Sequence, residues 1–263
     1  MSETAKVPKI VFIVPYRDRE KQYLFFKEHM KIVLEDMDPR DYEIMICHQY
    51  DDRPFNRGAL KNIGFLLVKS KYPYHYKNIT LVFNDVDTLP RRKNLFNYQT
   101  TRGTVKHFYG FKHALGGIVS ISAGDFEMIN GFPNFWAWGY EDNILQERVL
   151  KSKIIIDRNQ FYPIGTFSSI IHVSDGNMRE INSGEYNRYI KKTNEGINSI
   201  NGLEYTINCE TGFVDIVHFS TGQNPDMSKY SSYDLKNGPH PFDIKVGLMN
   251  RSRNKSSLMG MIL

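Results

Sequence analysis

Between residues 9 and 87 the chain alternates short, β-branched apolar runs with longer amphipathic stretches, and this alternation constrains the fold more than any other feature. The run "KIVFIV" (9–14) ends at Pro15 and has the length and composition of a buried strand. "YRDREKQYLFFKEHMKIVLEDM" follows, with Leu24, Phe25, Met30, Val33 and Leu34 spaced as on one side of a helix. "YEIMICHQ" predicts a second strand, "NRGALKNIGFLLVKSKY" a second helix and "ITLVFNDVD" a third strand. Strand–helix–strand–helix–strand is the pattern of an α/β fold whose sheet is mostly parallel and flanked by crossover helices. Such sheets bind ligands beyond the carboxyl ends of their strands, and Asp85-Val86-Asp87 lies at such an end.

Past Pro90 the pattern loosens. "LGGIVSIS" (115–122) predicts a strand entered through a glycine pair, "AGDFEMINGF" a short helix stopped at Asn130-Gly131, and "EDNILQERVLKS" an amphipathic helix with Ile144, Leu145, Arg148 and Val149 at helical spacing. Beyond about residue 175 the text is polar and Asn-rich, apart from strand-like pieces such as "GFVDIVHF", and its end is expected to be loop-rich and partly disordered. The boundaries read as a tail over 1–7, one domain over 8–218 and a loop-rich extension over 219–263. With 41% apolar and 13% aromatic residues in 263, the chain has ample material for a packed core. Its net charge of +5 suits a phosphate-bearing ligand. No clustered basic face argues for a nucleic acid, so none is expected as partner. Two cysteines, Cys47 and Cys209, make neither a disulfide framework nor a zinc spacing, and leave a single bridge between them open. No stretch reaches the roughly 18 apolar residues of a membrane span.

Four constellations bear chemistry. Asp85 and Asp87, two apart on an extended chain, project to one side. Two close carboxylates call for a metal, a basic partner or a proton, although turn carboxylates before Pro90 explain the spacing equally well. In "NFWAWGYEDN" (134–143), Trp136 and Trp138 flank a small residue beside Gly139, Glu141 and Asp142. Separately these are core tryptophans and a helix's acidic first turn. Together they make a sugar site, with an indole face for the ring, carboxylates for its hydroxyls and a candidate general base. Arg17 and Arg19 in "PYRDR", with Arg57 in "PFNRG", suit a phosphate or a base edge, or are ordinary surface arginines. His172 in "SSIIHVSD" gains significance only if the fold brings it to Asp87.

In this order, "IVPYRDR", "HQYDDRPFNRGALKNIGF", "VFNDVDTLP", "LGGIVSIS", "NGFPNFWAWGYED", His172 and "EGINSI" resemble the β1,4-galactosyltransferase family, glycosyltransferase family 7, over roughly residues 8–205. The resemblance implies a GT-A type fold, a UDP-sugar donor, Mn2+ and inversion at the anomeric carbon. By position, Pro15, Tyr16, Arg17, Asp18 and Arg19 with Phe55, Asn56 and Arg57 would hold uridine and ribose. Asp85, Val86, Ala114, Gly117 and Trp138 would line the donor. Asp87 and His172 would be metal ligands. On the acceptor side would stand Trp138, Gly139, Tyr140, Glu141 and Arg188, with Asp142 as catalytic base.

Departures from the family pattern are informative. Ser169 and Ser174 stand where relatives often have a methionine and a second histidine, which leaves the third protein ligand of the metal undefined. Ala114 replaces the bulky residue that excludes a 2-N-acetyl group, so UDP-GalNAc is expected as a donor beside UDP-Gal. Tyr140 and Asn143 alter the acceptor loop, and the acceptor is expected to be a glycan or glycoprotein other than the family's usual ones. With neither leader nor anchor in the text, the expectation is a cytoplasmic or otherwise soluble protein, and a Golgi lumenal one only if the text is a trimmed piece. A non-catalytic UDP- or carbohydrate-binding module and a metal-dependent nucleotide hydrolase or nucleic-acid enzyme are the competing readings.

Overall fold

The structure, a computed structural model, describes residues 6–174, 176–208 and 210–237. In chain order the strands are β1 (Ile10–Tyr16), β2 (Tyr42–Gln49), β3 (Thr80–Asn84), β4 (Thr88–Pro90), β5 (Thr104–Gly110), β6 (Ile118–Ser122), β7 (Ile155–Asp157), β8 (Tyr162–Pro163), β9 (Ile170–His172), β10 (Met178–Asn182), β11 (Asn201–Asn208), β12 (Phe213–Ser220) and β13 (Tyr230–Asp234). The helices are α1 (Glu20–Val33), α2 (Arg57–Lys71), α3 (Ala123–Met128), α4 (Glu141–Lys151) and α5 (Ser183–Ile190). One large sheet runs β11-β12-β2-β1-β3-β6-β5-β7, with β8 also on β5. β1 pairs parallel with β2 and β3, and β12 pairs parallel with β2. β6 lies antiparallel between β3 and β5, and β11 antiparallel on β12. The sheet is therefore mixed but mostly parallel, as the alternation over 9–87 predicts.

β1 is buried on both faces, which is why it reads as unbroken apolar text. Its side chains still alternate: Val11 and Ile13 join the core under α2, whereas Ile10, Phe12 and Val14 join the core under α1. α1 buries Gln22, Phe26, Met30 and Val33, spaced by four, four and three, and leaves Leu24 and Phe25 exposed. The sequence pattern places Leu24 and Phe25 on the inner face, which the structure corrects. The run Leu24-Phe25-Phe26 fills adjacent directions around the helix, and only the position in phase with Met30 and Val33 can turn inward. α2 is buried over most of its length, including Lys61 and Asn62.

The polar text after residue 175 holds more order than its composition suggests. β10 pairs with β13, and β11 closes one edge of the large sheet. β11 is exposed along nearly its whole length, although Leu203, Tyr205 and Ile207 alternate with polar residues along it. Residues 238–263 lie outside the described residues, as does Cys209. Cys47 is a free thiol in the core, and burial pushes its pKa up to about 12. Among the described residues no helix is long and apolar enough to cross a membrane.

β2 and β3 flank β1 on opposite sides, so the chain's winding reverses between β1 and β3. In open α/β sheets a crevice opens at such a reversal, outside the carboxyl ends of the strands. Tyr16, Asn84 and the loop into α2 all reach that edge.

Candidate functional site

The turn after β3 is held from behind. Asn84 is fully buried, and its amide donates to the carbonyls of Asp85 and Thr88, both at 2.8 Å. The Asp85 N–H donates to the Gly117 carbonyl at 3.1 Å, which ties this turn to the glycine pair before β6. Gly117 has φ +70°, and a Cβ there would lie 2.5 Å from the Tyr109 carbonyl oxygen, so no other residue fits.

The start of α2 aims Arg57 at the same turn. Asn56 is the N-cap: its side-chain oxygen accepts from the Ala59 N–H at 2.9 Å, and its amide donates to the Asn134 carbonyl at 3.1 Å. Asn56 is thus entirely buried and supports the cleft from beneath. Arg57 donates through one Nη2 to both oxygens of Asp85 at 3.0 Å, and its Nε lies 3.6 Å from Glu141 Oε1.

The start of α4 supplies the facing wall. Tyr140 at φ +68° turns the chain into the helix, and Glu141 and Asp142 occupy its first turn, where the helix dipole favours anions. Glu141 is buried, and its Oε2 has no hydrogen-bond partner among the described residues. The Asp142 carbonyl accepts from the Leu115 N–H at 3.0 Å, and its Oδ1 lies 3.2 Å from Lys61 Nζ.

Charge makes these pieces one site. Burial pushes the Arg57 pKa down, but Asp85, Glu141, Asp142 and Asp87 together outweigh it and hold the guanidinium charged. Burial raises Asp85, yet Arg57 above all leaves its carboxyl below the usual range. Asp87 is raised, by burial and then by the Asp85 charge. Asp142 is pushed up to about 6, mainly by burial, with Lys61 opposing and Glu141 adding to the rise. A carboxylate in this range is a good proton acceptor near neutral pH.

His172 does reach Asp87. β4 pairs antiparallel with β9, which sets Thr88 opposite His172. The Val173 N–H donates to the Asp87 carbonyl at 2.7 Å, and His172 Nδ1 lies 4.0 Å from Asp87 Oδ1. Carboxylate oxygen with imidazole nitrogen is a donor set that manganese accepts, and a raised Asp87 beside Asp85 is relieved by a cation. The pair therefore fits such an ion. Among the described residues no third His, Cys, Asp or Glu completes a cluster around them.

The remaining candidates divide. The Phe55 carbonyl accepts from the Ala137 N–H at 3.0 Å, and the Trp138 N–H donates to the Glu180 carbonyl at 2.8 Å, so the tryptophan loop is pinned to the segment before α2 and to β10. Trp138 is half-buried, Val86 and Ala114 are buried, and Gly139 has φ +116° with open space where a Cβ would go. Tyr140 stacks on Tyr189 at 4.3 Å. Trp136, by contrast, is a core residue: its ring stacks on Phe219 and its N–H donates to the Gln223 carbonyl at 3.0 Å. Arg188 pairs with Glu185 and Glu195 over the Phe135 ring, so its charge is engaged within the fold. Pro15 is buried one residue before the end of β1, and Arg17 donates to the Arg53 carbonyl. Asp18 is exposed at φ +48°, and Arg19 occupies the N-cap position of α1 without a side-chain capping hydrogen bond. Tyr16, Asp18, Glu20, Tyr23, Leu24 and Phe213 line a surface cavity that includes none of the clustered carboxylates. Sequence reading missed Lys61 and Tyr109. Tyr109 is buried, and Asp87 and Asp85 add to the rise that burial gives its hydroxyl.

A mostly parallel sheet with its carboxylates gathered at the winding reversal is the GT-A class of glycosyltransferase fold. The family model described as the N-terminal region of glycosyl transferase group 7 matches residues 2–99, and that described as the N-terminal domain of galactosyltransferase matches residues 100–173. The chain belongs to the β1,4-galactosyltransferase family, glycosyltransferase family 7. It is 32% identical to beta-1,4-galactosyltransferase 4 of Mus musculus over 194 residues, 69% of this chain and 54% of that protein. It is 30% identical to beta-1,4-galactosyltransferase 7 of Drosophila melanogaster over 179 residues, 64% and 53% of the two. The chain thus spans about half the length of these curated relatives. The crystal structure of the catalytic domain of Drosophila beta1,4galactosyltransferase 7 in complex with xylobiose superposes with a TM-score of 0.60 at 22% identity, covering 80% of this chain and 94% of that one. A mutant of the same protein in complex with manganese, UDP-Gal and xylobiose gives a TM-score of 0.59.

Proposed function

We propose that this chain is a manganese-dependent, inverting hexosyltransferase that moves galactose or N-acetylgalactosamine from a UDP-sugar to a hydroxyl of a glycan or glycoprotein. The observation that carries the reading is the shared counter-ion: Arg57 answers to Asp85 and Asp87 on one side and to Glu141 and Asp142 on the other. Carboxylates of the two walls are therefore close enough for one nucleotide sugar to span them.

The reaction is a single displacement. Asp142 takes the proton of the acceptor hydroxyl as that oxygen bonds to the anomeric carbon, and the carbon–oxygen bond to UDP breaks with its electron pair leaving on the diphosphate. Asp87 and His172 would hold manganese, which would supply neutralisation of the departing diphosphate's charge. Glu141 Oε2, buried and without a hydrogen-bond partner among the described residues, accepts a hydrogen bond from an acceptor hydroxyl. Trp138 supplies the apolar face for a sugar ring, and the loop carrying it turns at Gly139. Ala114 leaves space beside the sugar's 2-position, which supports use of UDP-GalNAc as well as UDP-Gal.

A UDP-release assay over a panel of UDP-sugars, with and without manganese, tests this. Release that needs acceptor and manganese is expected, with both UDP-Gal and UDP-GalNAc turned over; strict preference for UDP-Gal removes the role given to Ala114. Asp142→Asn is expected to keep donor affinity and lose transfer, and retained transfer means another base. In the wild type kcat/KM is expected to fall on the acid side with a midpoint near pH 6, because the base must be ionised and its pKa lies at about 6. The two-residue metal shell favours one competing reading, a UDP-sugar-binding module without catalysis. Binding of donor with no release under any condition selects it.

A further inference from the structure

Lys61 is the one charged side chain lodged in the buried body of α2, at 2% exposure. It stands four residues after Arg57 and so lies on the same side of the helix, one turn deeper. Its Nζ approaches Asp142 Oδ1 at 3.2 Å and sits 4.5 Å from the centre of the Phe132 ring, whose face favours a cation. A lysine loses solvation at such a site and is tolerated when paired. The other oxygen, Oδ2, rests over Gly116, where a Cβ would stand 2.2 Å away.

The geometry points to Lys61 as a positioning residue of the transfer reaction: it occupies Asp142 Oδ1, keeps that carboxylate ionised, and leaves Oδ2 to receive the acceptor's proton. This rests on the reading of Asp142 as the base. No other cation touches Asp142 among the described residues. From α2, Arg57 also favours the ionised Asp142, but at longer range, its direct contacts being Asp85 and Glu141. From α4 itself comes Glu141, and from the turn after β3 Asp85, both anions that disfavour a second charge. The loop before β6 presents backbone at Leu115 and Gly116, and its ionisable residues Lys112 and His113 are exposed. Lys61 is the sole direct cationic partner of Asp142 among the described residues.

The test is the pH profile of kcat/KM for Lys61→Met and Lys61→Gln, with Lys61→Arg as the charge-retaining control. Removing a cation within contact distance of an Asp raises its pKa by roughly 1–3 units. A rise of about one unit makes kcat/KM about fivefold lower at pH 6 and nearly wild-type by about pH 8.5. The donor KM should not change, and Lys61→Arg should restore the acid limb toward wild type. An acid limb that stays in place in the folded neutral variants, a uniform loss across pH, or failure of both neutral variants to fold overturns the inference and leaves Lys61 a structural residue. Failure of the base assignment is separate and visible: Asp142→Asn would then keep transfer, whatever Lys61 does.

Discussion

Gly116→Ala perturbs the candidate base directly, because the three atoms nearest the added Cβ all belong to the Asp142 side chain. Its Cβ would lie 2.2 Å from Asp142 Oδ2, 2.7 Å from Cγ and 3.3 Å from Cβ, whereas ordinary contact begins at 3.4 Å. The backbone at Gly116 is outside the left-handed region, so alanine adds no conformational strain there. The carboxylate must therefore retreat by about 1 Å. It cannot slide freely, since Lys61 grips Oδ1 and the Leu115 N–H holds the Asp142 carbonyl. A displacement of about 1 Å at a reacting group costs on the order of a hundredfold in rate. Over-packing of this kind costs about 1–3 kcal/mol, which lowers Tm by about 2–12 °C in a chain of this size. The expected result, read by UDP release with saturating donor, is a kcat about a hundredfold down, an almost unchanged donor KM and a folded protein. A kcat within about threefold of wild type would refute the claim that this glycine exists to seat Asp142.

Three further outcomes follow from packing. Trp136→Ala is expected to cost about 3–5 kcal/mol in urea unfolding, as large core truncations do, while Trp138→Ala costs about 1 kcal/mol and removes transfer instead. Arg57→Met strips Asp85 and Glu141 of their counter-ion and is expected to cost about 3–5 kcal/mol by the same measurement; a loss under about 1 kcal/mol would mean that solvent already screens the cluster. In a Cys209→Ser variant, Cys47 should stay unreactive toward a thiol reagent until the protein is unfolded, because burial keeps its thiol protonated.

What the sequence discloses here follows from how burial is written into it. β1 and β3 are buried on both faces, so each stands out as a run of apolar residues and Asp85-Val86-Asp87 marks the crevice, although β1 runs on to Tyr16 and β3 stops at Asn84, before the carboxylates. The acidic start of α4 is legible for a similar reason, since Glu141-Asp142 precedes an apolar pattern with helical period. Other parts leave no periodic trace. β4 and β9 are three residues each, too short for an alternation, yet their pairing alone brings His172 across 84 intervening steps of chain to Thr88 and Asp87. β11 is the exception: Leu203, Tyr205 and Ile207 alternate with polar residues, but the strand is largely exposed, and its place is decided by the free edge of β12. Arg148 reads as one more position on an amphipathic helix, but its guanidinium donates to the carbonyls of Asn130, Gly131, Thr193 and Glu195, a role set by loops distant in sequence. Lys61 lies between these cases. A lysine inside an otherwise buried helix contradicts the burial pattern around it, and such a contradiction is tolerable only if an anion waits in the interior. The helix therefore announces that a buried carboxylate must exist, four residues beyond Arg57 and on its side; only the fold reveals that the carboxylate is Asp142.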